Sequence, residues 1–169
     1  HTLSMGDADT PNLIFAKKNS IIVGPEAFSI PGIKTIIAML GGIPLPNNLE
    51  TTKNFLKAIE YNVNKKRNIT IYPEAHIWPY YTKIRPFKDA SFKYPIMYNK
   101  PVICVTNTYI KKRKKVKLVT YLDGPFYPKN YKTKEELRNA VYNKMVERSS
   151  FLNQHEKYKY IDLKEIEEK

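Results

Sequence analysis

The sequence predicts an α/β fold, in which a single domain has a mixed sheet flanked by helices. Segments of strand-like composition alternate along the chain with segments of helical periodicity, an order typical of α/β layers. The chain has 169 residues, 42% of them hydrophobic, which is one domain's worth and enough to bury a core. It contains no Gly/Ser tract, low-complexity block or internal repeat. We therefore predict one domain over residues 1–169.

Short apolar strands and amphipathic helices alternate in the first half of the chain. Residues 20–28 begin as a strand, and the stretch 29–42 contains a helix with a capping serine at its start and Gly41 just past its end. Residues 42–46 are a very short strand that proline ends, and residues 50–65 are the next helix. In both helices the apolar residues recur at intervals of three and four, so each helix has one apolar stripe.

The same alternation continues in the second half. The sequence predicts a strand at residues 69–72. It then predicts a helix at residues 87–100 that is distorted at Pro95. Residues 101–110 and 115–126 are rich in β-branched side chains, which predicts an antiparallel hairpin with a long loop.

The last element and the order of the strands can also be predicted. Residues 133–150 form a helix that starts with a capping box of Thr133 and Glu136. Residues 69–72 and 102–106 are short apolar runs, as expected of strands that are covered on two faces. We predict that residues 69–72 are a central strand flanked by residues 102–106.

The net charge of +13 predicts an anionic partner, such as nucleic acid, a phosphorylated small molecule or an anionic membrane. Most basic residues are dispersed, but residues 111–117, KKRKKVK, form a dense run between the two hairpin segments. No helix-turn-helix, RNP or zinc-finger pattern accompanies this charge. The charge alone therefore does not identify a nucleic-acid-binding protein.

Several classes of site are excluded by composition. Cys104 is the single cysteine, which excludes an intrachain disulfide and a cysteine-only metal site, and its apolar surroundings predict a buried, inert thiol. The three histidines have no ligand spacing, so we predict no metal. No apolar run reaches 18 residues, and no signal peptide is visible.

The stretch ITIYPEAHIWPYY, residues 69–81, ends a predicted core strand in an unusual way. Proline stops the strand, and Glu74 and His76 follow it, together with the only tryptophan. In α/β sheets, functional residues collect in the loops beyond strand ends. Glu74 is therefore a candidate functional residue.

Four motifs of this chain resemble, in the right order, those of the glycerolipid acyltransferases of the lysophosphatidic acid acyltransferase type. HTLSMGD (1–7) resembles the histidine–aspartate motif, and LGGIPLPNN (40–48) resembles the short strand with glycine and usually arginine. IYPEAH (71–76) resembles the F-P-E-G-T-R motif, and KPVICVT (100–106) resembles the apolar strand that contains a proline. The resemblance runs from residue 1 to about 110.

This resemblance implies a glycerol-3-phosphate acyltransferase-like fold and acyl transfer from a thioester to a hydroxyl, without a further cofactor. His1 would be the general base that takes the proton of the acceptor hydroxyl, and the carboxylate of Asp7 would orient its imidazole. Five residues separate His1 from Asp7 where the family has four, so Asp9 is the alternative partner. Glu74 would orient the acceptor hydroxyl or hold a cation such as Arg85.

The chain departs from the family pattern where the acceptor's phosphate is bound. Ala75, His76 and Ile77 stand where Gly, Thr and Arg are usual, and Asn47 or Asn48 stands where an arginine is common. We assign His76 to substrate binding rather than to a second base. We expect the missing positive charge to come from three basic residues that follow the third motif: Lys83, Arg85 and Lys88.

The resemblance also implies partners and a location. The acceptor would be a lysophospholipid, and the donor an acyl thioester of coenzyme A or acyl carrier protein. We expect an anionic membrane surface as a partner, no nucleic acid, and a position at the cytoplasmic face of a membrane. The chain opens without methionine, so we expect a truncated N-terminus, and the protein would be peripheral or anchored by the missing segment.

Two further interpretations stay open. The apolar faces of residues 31–40 and 55–63 would either wall an acyl channel or pack as ordinary core. The alternative to an active enzyme is a catalytically weak acyltransferase-like protein or a basic nucleic-acid-binding module.

Overall fold

The computed structural model describes residues 6–24, 33–39, 41–75, 81, 83–112 and 115–153. The described residues up to Ala75 form one compact unit, here the N-terminal unit, and those from Tyr81 onwards form another, here the C-terminal unit. Each unit is described by itself. The single domain expected over residues 1–169 stays a prediction.

The N-terminal unit is built on a three-stranded parallel sheet in the order β2–β1–β3. Its strands are β1 (Asn19–Val23), β2 (Gly42–Pro44) and β3 (Asn68–Thr70). Ile22 of β1 and Ile43 of β2 lie directly opposite each other and are both buried. Parallel strands need crossover connections, and helices supply them here.

Three helices belong to this unit: α1 (Gly6–Ile14), α2 (Ile33–Met39) and α3 (Leu49–Asn64). Helix α3 contacts β2 and β3 and buries Phe55 and Ile59, which are 3% and 1% exposed. The four-residue interval between these side chains places both on one face of the helix, as the apolar periodicity predicts. The burial of that face holds α3 against the sheet.

The turn between α2 and β2 depends on two glycines. Gly41 has a φ of +85°, a left-handed conformation that suits glycine at a helix end, and its amide donates to the carbonyl of Ala38. An added Cβ at Gly42 would overlap the side chain of Ile37. These residues therefore let α2 end close to the start of β2.

Polar side chains tie β1 to the neighbouring elements β3 and α3. The hydroxyl of Thr70 donates to Oδ1 of Asn19 at 2.9 Å, which links β3 to β1. The hydroxyl of Ser20 donates to Oδ1 of Asn62 in α3, also at 2.9 Å. Asn19, Ser20 and Asn62 are all buried, so these bonds satisfy polar groups that water does not reach.

The C-terminal unit consists of an antiparallel hairpin covered by a long helix. Its hairpin strands are β4 (Val102–Lys112) and β5 (Lys115–Phe126), and its helices are α4 (Lys93–Met97) and α5 (Lys134–Asn153). Two short 3₁₀ helices, Ala90–Phe92 and Pro128–Asn130, complete it. Its core cluster contains five buried residues: Phe87, Phe92, Cys104, Leu137 and Val141.

The structure confirms the α/β class and most of the predicted elements. The apolar residues Leu137 and Val141 of α5 are buried as expected. At the start of α5 the amide of Glu136 donates to the hydroxyl of Thr133 at 3.2 Å. The carboxylate of Glu136 accepts from the amide of Lys132 rather than from that of Thr133. The single helix predicted over residues 87–100 is wrong: a 3₁₀ helix at Ala90–Phe92 leads into the short α4, which contains Pro95.

The predicted order of the strands is wrong. β1, and not β3, is the central strand of the parallel sheet, while β4 pairs with β5 in a two-stranded sheet. The side chain of Ile103 in β4 is 40% exposed, against the expected burial. An apolar run indicates that a strand is covered, but it carries no information about which strand lies beside it.

The long loop predicted for the hairpin is also wrong. β4 runs to Lys112 and β5 starts at Lys115, so the strands extend into the basic run. Lysine has a low β propensity, but strand pairing outweighs this local preference.

Candidate active site

The carboxyl ends of the three parallel strands define one edge of the sheet in the N-terminal unit. Both β2 and β3 pair in parallel with β1, so the segments that follow Pro44 and Thr70 leave the sheet on the same side. In open α/β sheets this is the edge where ligands bind. The residues of the second and third motifs lie there.

Glu74 occupies a tight turn just beyond β3. The amide of Ala75 donates to the carbonyl of Tyr72 at 3.1 Å, and this bond closes a four-residue turn. Pro73 takes the second position of the turn, where its fixed φ is favourable. The third position belongs to Glu74, which is half-buried. Proline therefore both ends the strand and places the carboxylate beyond the sheet edge.

The last residue of this turn has an unusual backbone conformation. Ala75 has a φ of +64°, in the left-handed region that glycine adopts at no steric cost. The motif that this stretch resembles has glycine at this position. The turn therefore keeps the shape that glycine favours, although alanine occupies it.

The two asparagines of the second motif form the N-terminal cap of α3. Oδ1 of Asn48 accepts from the amide of Thr51 at 2.8 Å, and the hydroxyl of Thr51 accepts from the amide of Asn48 at 3.0 Å. Oδ1 of Asn47 lies 3.2 Å from the same hydroxyl. These are the reciprocal bonds of a capping box. In this chain the two residues, one of which stands where an arginine is common in the resembled motif, thus serve to start a helix.

An apolar pocket of about 340 Å³ lies at the same sheet edge, between the end of β2 and the first turns of α3. Apolar side chains with a few polar groups are the usual lining of small-molecule sites. Phe55 and Ala58 come from the helix face that the sequence indicated as a channel wall. The polar residues of the pocket lining were not predicted, because their pattern in the sequence is that of a helix cap. The pocket is lined by Ile43, Pro44, Leu45, Asn47, Thr51, Asn54, Phe55 and Ala58.

The remaining predicted site residues are only partly described. His1 and His76 lie outside the described residues. Asp7 and Asp9 lie in the first turn of α1, but their side chains are also outside the description. The hydrogen bond expected between His1 and Asp7 stays a prediction.

The three basic residues proposed for phosphate binding belong to the C-terminal unit. Arg85 is half-buried, and Lys83 and Lys88 are exposed. All three lie in an irregular segment before the first 3₁₀ helix. Their expected proximity to Glu74 stays a prediction.

Cys104 is buried, with 3% of its surface exposed, and its Sγ lies 3.6 Å from the hydroxyl of Thr106. Burial raises the pKa of this thiol to about 11. Little thiolate is present at neutral pH, so Cys104 is a poor nucleophile. This agrees with the predicted inert thiol and with chemistry in which the acceptor's own hydroxyl attacks.

Two kinds of feature are not found in the part of the chain that the structure describes. Among the described residues, no group of three or more His, Cys, Asp or Glu side chains could hold a metal ion. None of the helices in these ranges is long and apolar enough to cross a bilayer. The metal-free reaction and the location of the protein stay predictions.

Comparison with known proteins gives a family and a fold. A family model described as Acyltransferase matches residues 4–108, which is more than half of the chain. The crystal structure of the 1-acyl-sn-glycerophosphate (LPA) acyltransferase PlsC from Thermotoga maritima aligns with a TM-score of 0.64 and 22% sequence identity.

That alignment covers 94% of this chain and 66% of the Thermotoga chain, so this chain spans slightly less than two thirds of that relative. No curated protein matched the sequence. The matched residues contain β1, the Glu74 turn and the capped end of α3, so the family model covers the sheet edge described above. The chain belongs to the acyltransferase family.

Proposed function

We propose that the protein is an enzyme that moves a fatty acyl group from a thioester to a hydroxyl of a lysophospholipid, such as 1-acyl-glycerol-3-phosphate. Coenzyme A or acyl carrier protein would carry the acyl group, and no further cofactor would be needed. One observation carries the proposal: the Glu74 turn and the apolar pocket share one edge of the parallel sheet in a chain of this family.

The spacing along this edge suits a substrate with a polar head and an apolar tail. β2 and β3 lie on either side of β1, so the strand that leads to the pocket and the strand that leads to Glu74 are roughly 10 Å apart. The pocket is partly open to solvent, so it would shield one side of an acyl chain from water, and each CH₂ group that it fully buried would contribute about 0.8 kcal/mol. Its reacting end would then face the polar part of the edge.

His1 acts as the base in the proposed reaction. Its imidazole takes the proton of the acceptor hydroxyl while the hydroxyl oxygen attacks the thioester carbonyl. The C–S bond then breaks, and the imidazolium gives its proton to the leaving thiolate, so a new ester and a free thiol result and His1 is neutral again. Asp7, or Asp9, fixes the imidazole and stabilises its charged form. Glu74 orients the acceptor hydroxyl or holds a cation such as Arg85.

The remaining substrate contacts are assigned to basic residues. Arg85, with Lys83 or Lys88, binds the acceptor's phosphate, since guanidinium groups meet phosphate bidentately. His76 contacts substrate. We also propose that the protein works at the cytoplasmic face of a membrane, peripherally or through an anchor. The net charge of +13 supports attraction to anionic lipids.

Release of free thiol from an acyl thioester in the presence of lysophosphatidic acid tests this function. We expect His1→Ala to lower the rate by orders of magnitude and Glu74→Gln to lower it by at least tenfold. Glu60→Gln, which neutralises an exposed carboxylate in the middle of α3, is the matched control and should keep the rate. Equal rates for all three variants would contradict the proposed roles. No thiol release by the intact protein with any acceptor would favour the catalytically weak alternative.

A further inference from the structure

The short helix α4 presents two apolar side chains to solvent. Ile96 and Met97, the last two residues of the helix, are 38% and 57% exposed. Lys93, the first residue of α4, is also exposed and precedes them by three and four residues. Side chains at these intervals are neighbours on one side of a helix. A cation therefore lies beside the exposed apolar pair.

A second short helix, which contacts α4, adds a further cation and an aromatic ring. This is the 3₁₀ helix Pro128–Asn130. Tyr127 precedes it and is 45% exposed, and Nζ of Lys129 lies 5.7 Å from the centroid of the Tyr127 ring. In α4, Nζ of Lys93 lies 5.0 Å from the centroid of the Tyr94 ring. Each of the two contacting segments thus holds a lysine over a tyrosine ring.

These residues form what is here named the α4 surface, and its charge is positive. The surface consists of Lys93, Tyr94, Ile96, Met97, Tyr127 and Lys129. The segments that supply it contain no acidic residue, since none occurs in the sequence at residues 90–122 or 124–134. Among the described residues, no carboxylate forms an ion pair with Lys93 or Lys129. Both cations can therefore meet an anionic partner.

The composition of the α4 surface distinguishes between anionic partners. Ile96 and Met97 offer a nucleic acid neither stacking nor hydrogen bonds. Two partly exposed apolar side chains also supply far less area than the roughly 800 Å² that each partner of a stable protein interface buries. The boundary of a bilayer accepts small apolar groups, while tyrosine and lysine keep their polar ends among the head groups.

We propose that the α4 surface docks on an anionic lipid bilayer. Ile96 and Met97 enter the boundary between head groups and acyl chains, and the two lysines attract anionic head groups. The choice of a membrane as the partner rests on the proposed function, and the α4 surface as the place of contact is the new assignment.

Co-sedimentation of the full chain with lipid vesicles tests this surface without any measurement of acyl transfer. We expect binding to phosphatidylcholine vesicles that contain phosphatidylglycerol, and weaker binding to phosphatidylcholine alone. The double variant Ile96→Thr and Met97→Gln keeps the full charge and should weaken binding by at least about tenfold. The double variant Lys93→Gln and Lys129→Gln should weaken binding to the anionic vesicles by roughly tenfold to thirtyfold.

Matched controls separate the α4 surface from the overall charge and apolar surface. Lys53 and Lys57 are exposed on α3, and their replacement by Gln removes the same charge. Leu118 and Leu122 of β5 are 44% and 52% exposed, much like the α4 pair, and are replaced by Thr together. Circular dichroism confirms that each variant is folded. We expect both control variants to bind vesicles as the parent does.

An equal loss of binding in the α4 and control variants would overturn the proposal. So would self-association of the parent chain without lipid that the Ile96→Thr and Met97→Gln variant abolishes, because the surface would then be a protein interface. Thiol release from detergent-dispersed substrates separates this proposal from the proposed function. Full thiol release by a parent chain that does not bind vesicles would overturn the α4 surface alone. Vesicle binding without thiol release would support the α4 surface and contradict the proposed function alone.

Discussion

The guanidinium of Arg148 binds both carboxylate oxygens of Asp123 and so joins α5 to β5. Its Nε lies 3.1 and 3.0 Å from Oδ1 and Oδ2, and its Nη2 lies 2.5 Å from Oδ1. The Asp123 side chain is only 9% exposed, and the guanidinium also lies over the ring of Tyr121, 4.9 Å from its centroid. Bidentate pairs of this kind fix geometry as well as charge.

The Asp123–Arg148 ion pair predicts that the free energy of unfolding falls in acid. The hydrogen bonds and charge of Arg148 lower the pKa of Asp123 below its ordinary value of 3.8. Because the folded-state pKa is depressed, the stabilisation is present above pH 3.8 and is lost as the pH falls through the lower folded value. We expect Asp123→Asn to be less stable than the parent at pH 7, and this difference to shrink below about pH 4. Urea unfolding at a series of pH values measures it, and a difference that stays constant into strong acid would contradict it.

The left-handed conformation of Ala75 predicts a stabilising substitution. In this region a residue with a Cβ lowers the free energy of unfolding by about 1 to 2 kcal/mol. Glycine avoids this strain, but it makes the unfolded chain more flexible, which lowers the free energy of unfolding by about 0.4 to 1 kcal/mol. We expect Ala75→Gly to raise the free energy of unfolding by about 0.5 to 1 kcal/mol. Ala140→Gly, in the middle of α5, is the matched control and should lower it by about 1 kcal/mol. Denaturant unfolding that gives the same sign for both would exclude strain at Ala75.

The proposed role of Arg85 predicts that its substitution raises KM for a phosphorylated acceptor and not for a neutral one. If its guanidinium binds the acceptor's phosphate, Arg85→Ala should raise KM for lysophosphatidic acid and spare a neutral monoacylglycerol. One charge-assisted contact of about 1.5 to 3 kcal/mol corresponds to a roughly tenfold to hundredfold effect. Steady-state kinetics with both acceptors measure this effect, with the exposed Lys100→Ala as control. An equal loss with both acceptors would make Arg85 structural, and no loss would place phosphate binding elsewhere.

The pocket beside α3 predicts a change in chain-length preference. Ala58 lines its wall, so Ala58→Phe would fill part of the space that a long acyl chain occupies. We expect the ratio of kcat/KM for a long-chain to a short-chain thioester to fall by at least roughly tenfold, since each buried CH₂ group contributes about 0.8 kcal/mol. Ala16→Phe, on an exposed segment, should leave the ratio unchanged. A ratio that does not move would show that the acyl chain binds elsewhere.

Local patterns in the sequence predicted the elements well. The stripe that contains Phe55 and Ile59 identified α3, and both side chains are buried. Thr133 was identified as a cap and accepts the amide of Glu136. Such signals depend on residues within one or two turns of each other, so they are visible without the fold.

The failures concern contacts between residues that are far apart in the sequence. The position of β3 beside β1 rests on pairs such as Ile21 with Thr70, which no local pattern encodes. The pocket likewise needs the end of β2 and the start of α3 together. The position of Glu74 just beyond a strand was predicted, because it is a property of the neighbouring sequence.

The capping box at Asn48 and Thr51 limits which substitutions residue 48 can accept without loss of stability. An arginine at residue 48 would supply a cation but would remove an N-cap, whose loss costs about 1 kcal/mol. Helix initiation and phosphate charge are therefore competing uses of one residue. We expect the stability cost of Asn48→Arg to disappear only where another residue caps α3, so the effect of this substitution depends on Thr51.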